Sequence, residues 1–217
     1  MKTHHWSRPR VTWVKPRYSG TAGLPHKVLS SAHPDHHSYK IYAGKVSRNK
    51  SNALMDGGAN GGVAGGNMRP IEWTPRMVDL NGVDDHTVRE LRIGTFGGVT
   101  DSQCGPIISV FHQMAHMPDG KTIVSTPQCE FFKNTVHEKA PHVTGRTPCI
   151  ITLEGYRIPI TIRNGLPYIS MRPFTDKEWE TLPRVQMTSE RDWDPTVLDA
   201  TVPKDWADKQ PKDIQSL

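Results

Sequence analysis

Three Gly-Gly pairs recur at a four-residue spacing in Asp56-Gly-Gly-Ala-Asn-Gly-Gly-Val-Ala-Gly-Gly66, directly after the short apolar run Asn52-Ala-Leu-Met55. A helix cannot be sustained through so many residues without a Cβ, because each one gives up more backbone freedom on ordering than any other residue type. The stretch therefore reads as a short strand ending at Asp56, followed by a tight loop whose backbone stays accessible. The same punctuation runs along the whole chain. Its 217 residues include 18 Gly and 18 Pro, and no apolar 3.6-residue period survives for more than about three turns. Helix is expected to be a minor component.

Strand patterns fill most of the remainder. Tyr39–Lys45, Asn52–Met55, Met77–Val83, Val88–Ile93, Pro106–Met117, Ile150–Leu153, Tyr156–Ile162 and Tyr168–Met171 are apolar or alternating runs of strand length. Turn chemistry at Pro118-Asp-Gly120, Glu154-Gly155 and Arg163-Asn-Gly165 separates several of them, the last two as hairpins. This spacing predicts a mainly β fold, an antiparallel barrel or sandwich. Two short helices are expected. Thr175-Asp-Lys-Glu178 has capping-box spacing ahead of Trp179 and Leu182, with Pro183 as a stop, and Lys204–Lys209 follows Pro203.

Composition divides the chain into three parts. Residues 1–38 carry Lys2, Arg8, Arg10, Lys15, Arg17 and Lys27 against Asp35 alone, so this arm holds the whole formal excess of +5. It has no periodicity and reads as a disordered basic arm. Residues 39–172 hold the strand patterns, and 173–217 form a polar C-terminal extension, partly helical or frayed. Cys104, Cys129 and Cys149 are odd in number and none is spaced Cys-x-x-Cys, which favours reduced thiols in a cytoplasmic or nuclear setting. Neither a signal peptide nor a membrane-length apolar run is apparent, so no membrane partner is expected.

Asp56 is the candidate for chemistry. A pair of carboxylates sharing one proton around a water can hydrolyse a peptide, one acting as base toward the water and the other protonating the carbonyl oxygen. A chain of this size has room for one such carboxylate, so a second copy would have to bring its twin. The plainer reading is that Asp-Gly merely opens a turn. The glycine pairs could also cradle a phosphate, yet the Gly-Lys-Ser/Thr ending of a P-loop is missing.

Leu54-Met-Asp-Gly-Gly-Ala-Asn-Gly-Gly-Val-Ala64 resembles the retropepsin signature. Gly105-Pro-Ile-Ile-Ser-Val-Phe-His-Gln-Met-Ala-His-Met-Pro118 with Ile123-Val-Ser125, then Leu153–Met171 and Trp193-Asp-Pro-Thr-Val-Leu-Asp199, are similar in order and spacing to the protease segment of copia-type retrotransposon polyproteins, in particular the algal and diatom subset. The resemblance implies a small closed barrel of the retropepsin type. It also implies a homodimeric aspartic endopeptidase that processes its own polyprotein, needing no cofactor and no metal. Asp56 would be the catalytic residue, Gly57, Gly58, Ala59 and Asn60 would shape the loop, and a flap would hinge at Gly97 and Gly98 within 94–105. Active members of the family have Thr or Ser after the Asp, with a hydroxyl that bridges the two loops of the dimer. Here that position is Gly57, and the lost hydrogen bond is worth about 1 kcal/mol per side. A catalytically dead remnant, acting as a dimerisation or nucleic-acid-associated module, is therefore the alternative.

Other residues carry competing readings. His112 and His116 would share one face of a helix as metal ligands, but in a strand they stand about 13 Å apart and read as ordinary packed histidines. His33, His36 and His37 belong to a flexible tail that picks up metal only adventitiously. Arg8, Arg10, Lys15 and Arg17 interleave with Trp6, Trp13 and Tyr18, as phosphate-contacting and stacking groups for RNA or DNA would, or as a solvated linker would.

Overall fold

The computed structural model describes residues 52–82 and 87–202. The basic arm, the strand expected at Tyr39–Lys45 and the helical turn expected at Lys204–Lys209 lie outside the described residues.

The fold is mainly β. Its scaffold is a meander of three long strands: β3 (Arg69–Asn81), β4 (Thr87–Ser102) and β5 (Gly105–His116), paired antiparallel. The pattern Met77–Val83 with Val88–Ile93 marked only the outer half of the first hairpin. From Ile93 to Thr100 every residue of β4 is buried. Alternation therefore disappears where both faces are covered, and Ile93-Gly-Thr-Phe-Gly-Gly-Val-Thr100 does not look like a strand in the sequence.

Around β5 the sheet becomes mixed. It contains β1 (Asn52–Asp56), β2 (Val63–Ala64), β6 (Ile123–Ser125), β10 (Thr161–Arg163), β11 (Leu166–Ser170) and β12 (Arg184–Gln186). The strands follow the order β10-β11-β1-β6-β2-β5-β4-β3, with β12 also on β5. Three pairings are parallel, β1 with β6, β2 with β5 and β12 with β5, so the purely antiparallel expectation is corrected. The closed barrel is not found either. An isolated bridge between Val99 and Arg172 joins β4 to the residue two beyond β11, with backbone bonds of 2.8 and 3.2 Å, but no continuous ladder seals the sheet there. A separate three-stranded sheet comprises β7 (Thr135–His137), β8 (Cys149–Ile151) and β9 (Arg157–Pro159).

Local chemistry explains the connections. Asn164 and Gly165 both have positive φ, 51° and 77°, as a type I′ turn between β10 and β11 requires. Gly155, at φ 88°, turns the chain between β8 and β9. Helix α3 (Asp176–Thr181) starts at the expected capping box, in which the Thr175 hydroxyl accepts from Glu178 N–H while the Glu178 carboxylate accepts from Thr175 N–H. Two short helices were not foreseen. Helix α1 (Thr126–Phe131) is capped by Ser125 with a proline in its first turn, and α2 (Pro141–Thr144) ends at left-handed Gly145.

Phe96, Phe111, Met55, Met114, Ile169, Met171 and Met187 form the main core, and Ile150 and Ile158 of the small sheet join it. Each such side chain contributes roughly 1.5–3 kcal/mol by leaving water. Val99, Ile108, Val110 and Phe174 form a second cluster, closed over by Trp179 and Leu182.

Candidate active site at the Asp56 loop

Strand β1 is held on both edges, by β11 and by β6, and Ala53, Leu54 and Met55 are buried. Asp56, the next residue, lies opposite Ser125 in the parallel register and is only half-buried. The chain then makes an unusual crossing. β6 sits between β1 and β2, parallel to the first and antiparallel to the second, so the segment 57–62 must pass over the end of β6 where α1 begins. Gly62 suits the end of this crossing because a Cβ there would meet Met114 Cε at 2.9 Å.

Hydrogen bonds fix that crossing. Asp56 Oδ1 accepts from Gly58 N–H at 2.8 Å, an Asx turn that aims the carboxylate along the loop. Ser125 Oγ donates to the Ala59 carbonyl at 2.6 Å and itself accepts from Gln128 N–H, so one side chain both caps α1 and pins the loop. Gln128 Oε1 accepts from Gly62 N–H at 3.2 Å. Trp193 Nε1 donates to the Asn60 carbonyl at 2.6 Å from 133 residues away. Ser125, Gln128 and Trp193 carried no sequence signal as loop anchors; Ser125 ahead of Thr-Pro fits a helix start, a signal the sequence reading missed.

Cavities flank the loop on two sides. One, of about 630 Å³, is lined by Gly57, Thr126, Pro127, Glu130, Glu138 and Arg146, among others. The other, of about 280 Å³, lies between Gly57–Asn60 and the segment Pro195–Asp199. A Cβ placed on Gly57 would come 2.8 Å from Glu138 Oε1, while Glu138 Oε2 accepts from Thr126 Oγ1 at 2.7 Å. The Glu138 carboxylate thus occupies the space a side chain at position 57 would need. Burial raises the Glu130 carboxyl above its ordinary value, and the charge of Glu138 adds to this, against an opposing pull from His137.

The flap assignment is corrected. Gly97 and Gly98 lie inside β4, paired with Val110 and Ser109, and Cβ atoms there would meet Phe174 Cε1 at 2.9 Å and Met171 Cγ at 2.6 Å. They are glycines because the sheet is closely covered, not because it hinges. The β3–β4 hairpin reverses instead between Asn81 and Thr87, where 83–86 lie outside the described residues.

His112 and His116 lie on β5 but have separate surroundings. His112 Nδ1 pairs with Thr95 Oγ1 at 3.0 Å, and His116 stacks on Phe96 with ring centroids 5.2 Å apart. Burial holds His112 below its ordinary value despite the opposing charges of Glu190 and Glu72; its Nε2 has no hydrogen-bond partner among the described residues, and Glu190 is 3.9 Å away. Among the described residues no group of three or more His, Cys, Asp or Glu is placed to hold a metal ion. The three cysteines are free thiols, and burial pushes Cys129 up to about 12. No described helix is long and apolar enough to cross a membrane. His33, His36, His37, Arg8, Arg10, Lys15 and Arg17 lie outside the described residues. The chain matches no family model, no curated protein and no solved structure.

Proposed function

We propose that this chain is a retropepsin-type aspartic endopeptidase derived from a copia-type retroelement, with one catalytic carboxylate, Asp56, per subunit of a homodimer. The observation that carries the reading is the crossing itself: a half-exposed Asp at the end of a buried strand, on a loop pinned over the end of β6. That arrangement holds a carboxylate rigidly at the surface while leaving it open to a symmetry mate. The bridge between Val99 and Arg172, which brings the sheet near to closure, also supports the resemblance.

In the dimer the two Asp56 carboxylates would share one proton, since like charges at such range cannot both ionise. The ionised member takes a proton from water as the water oxygen attacks the scissile carbonyl carbon, and the protonated member gives its proton to the carbonyl oxygen. Collapse of the resulting gem-diol returns a proton to the leaving amine. The natural substrates would be peptide segments of the polyprotein that contains the chain.

Cleavage of a peptide library at pH 4–6 tests this directly. Asp56→Asn is expected to lower the rate by at least about 10²-fold, and equal cleavage by both forms removes the enzyme reading. One observation favours the alternative of an inactive remnant. Residue 57 has no hydroxyl to bridge two loops, and the end of the Glu138 side chain lies 2.8 Å from where a Cβ would stand. A dimer by light scattering with no Asp56-dependent cleavage would establish that alternative.

A further inference from the structure

The C-terminal extension was expected to be partly helical or frayed, and its segment 190–199 packs beside the Asp56 loop. Glu190 through Asp194 is fastened to the meander at several points. Gln113 Nε2 donates to the Glu190 carbonyl at 3.1 Å, Arg76 pairs with the Asp192 carboxylate at 3.2 Å, and the Arg76 guanidinium also donates to the Trp193 carbonyl at 3.4 Å. The Asp194 carboxylate then caps a 3-10 turn at Pro195–Leu198 by accepting from Thr196 N–H and Oγ1. Between these fastenings the Trp193 ring sits edge-on to Phe131 of α1, centroids 5.4 Å apart, and its single N–H reaches the Asn60 carbonyl.

Position along the loop gives that bond its weight. Ser125 and Gln128 hold Ala59 and Gly62 from below, from the β6–α1 junction that the loop crosses. Trp193 holds Asn60 from the C-terminal segment, between those two anchor points in the chain. Four of the six residues from 57 to 62 are glycine, so the entropy lost on fixing this loop is large and each anchor counts.

We infer that Trp193 is a positioning residue for the Asp56 loop: its indole N–H sets the loop's pose, so the segment 190–199 belongs to the functional site. The inference rests on the Asp56 loop being the working part of the molecule. A residue that served only to anchor the tail would act through its ring, and the ring alone can be kept.

Trp193→Phe keeps a ring against Phe131 and deletes the donor. Hydrogen exchange of the full chain is expected to show the amides of Gly58 and Gly62, the two in the loop that donate hydrogen bonds, exchanging about tenfold faster in this variant, the scale of one lost hydrogen bond. Exchange at Leu54 and Val124, in the strands beneath, should stay as it was. Unchanged exchange at Gly58 and Gly62, or an equal rise in β1 and β6, overturns the inference. Trp193→Ala should give a larger rise at the same amides, and should it fail to fold, Trp193→Phe still decides. Where peptide cleavage is measurable, Trp193→Phe should lower kcat about tenfold and leave KM within about twofold; a raised KM with kcat intact would mean that Trp193 contacts substrate and would overturn the positioning role. Faster loop exchange in a chain whose cleavage never depended on Asp56 would sustain Trp193 as the loop's anchor while removing the endopeptidase.

Discussion

Loop 57–62 and the outer half of the β3–β4 hairpin invert what their compositions suggest. The loop has four glycines in six residues, yet Ser125, Gln128 and Trp193 each hold one of its backbone groups. The outer hairpin, Met77–Asn81 with Thr87–Arg92, contains Val, Leu and Met, yet not one of its residues is buried, and Met77 is 63% exposed. Its pairing also slips between Val78 and Leu80, where Glu90 takes a positive φ of 57° and its N–H bonds the Asp79 carboxylate. Order in this molecule follows anchoring and coverage, and composition alone misassigns both regions.

The inner half of the same hairpin sharpens the contrast most. Phe96 is 1% exposed and packs edge-on against Trp73 and face to face with His116. Phe96→Ala should cost about 3–5 kcal/mol, as large-to-small changes at filled aromatic sites do, read as a lowered urea midpoint. A cost below about 1 kcal/mol would mean that the inner half is as loosely covered as the outer.

Gly98→Ala asks whether the β4 glycines pack or hinge. The added methyl would press on Met171, a core side chain with no exposure, and the expected cost is about 1–3 kcal/mol from overpacking. A hinge glycine in open space would tolerate the methyl, and a neutral or stabilising result would restore the flap reading of 97–98.

Acid provides a third test, because the histidines of β5 lie under this covered region. Burial lowers the folded-state pKa of His112, and burial with the Arg92 charge lowers that of His116. Below about pH 6.5 the unfolded chain takes up protons that the folded chain resists. The neutral histidines therefore contribute stability that is present above that pH and is lost as the pH falls toward their lowered folded values. The loss is at most about 1.4 kcal/mol per pH unit for His112 and well below that for the more exposed, solvent-screened His116. Glu178 does not add to this in the same window, because Arg172 and the Thr175 backbone hold it at about 2, and what it contributes is lost only below its ordinary 4.5; Glu130, raised by burial, acts in the opposite sense and trims the loss. Urea denaturation at pH 8 and pH 5 should give the lower midpoint at pH 5, with a smaller difference in His112→Gln; a flat profile contradicts the assignment. The proposed dyad works in mild acid, so activity and stability would pull in opposite directions there.

These tests also mark what the sequence made visible. Strand β5, the Asn164-Gly165 hairpin and the Thr175 capping box were legible because each depends on neighbours along the chain. Asp56 was legible as the end of a strand ahead of a loop for the same reason. The parallel pairings of β1 with β6 and β12 with β5 were not, because nothing local says which distant strand lies alongside. Gly97 and Gly98 were misread because a glycine that makes room for Met171 or Phe174 is spelled the same way as one that bends. Trp193 stood out only within the motif that carries the resemblance, and its hold on the loop was not legible because its partner is a backbone carbonyl, which any residue at position 60 would supply.

The smallest expected effect separates the two regions most cleanly. Met77→Lys places a charge on the outer hairpin, where the native side chain already stands in water and a strand edge tolerates lysine well. Surface changes of this kind stay within about 0.5 kcal/mol, so the urea midpoint should be indistinguishable from that of the native chain. Dimerisation gives the same variant a second use. If two copies met across their Asp56 loops alone, the charge at position 77 would leave self-association unchanged in light scattering. A weakened dimer with an unchanged midpoint would show that the outer hairpin is uncovered only in the single chain, and that its exposed Met77 and Val78 are contact residues for the second copy.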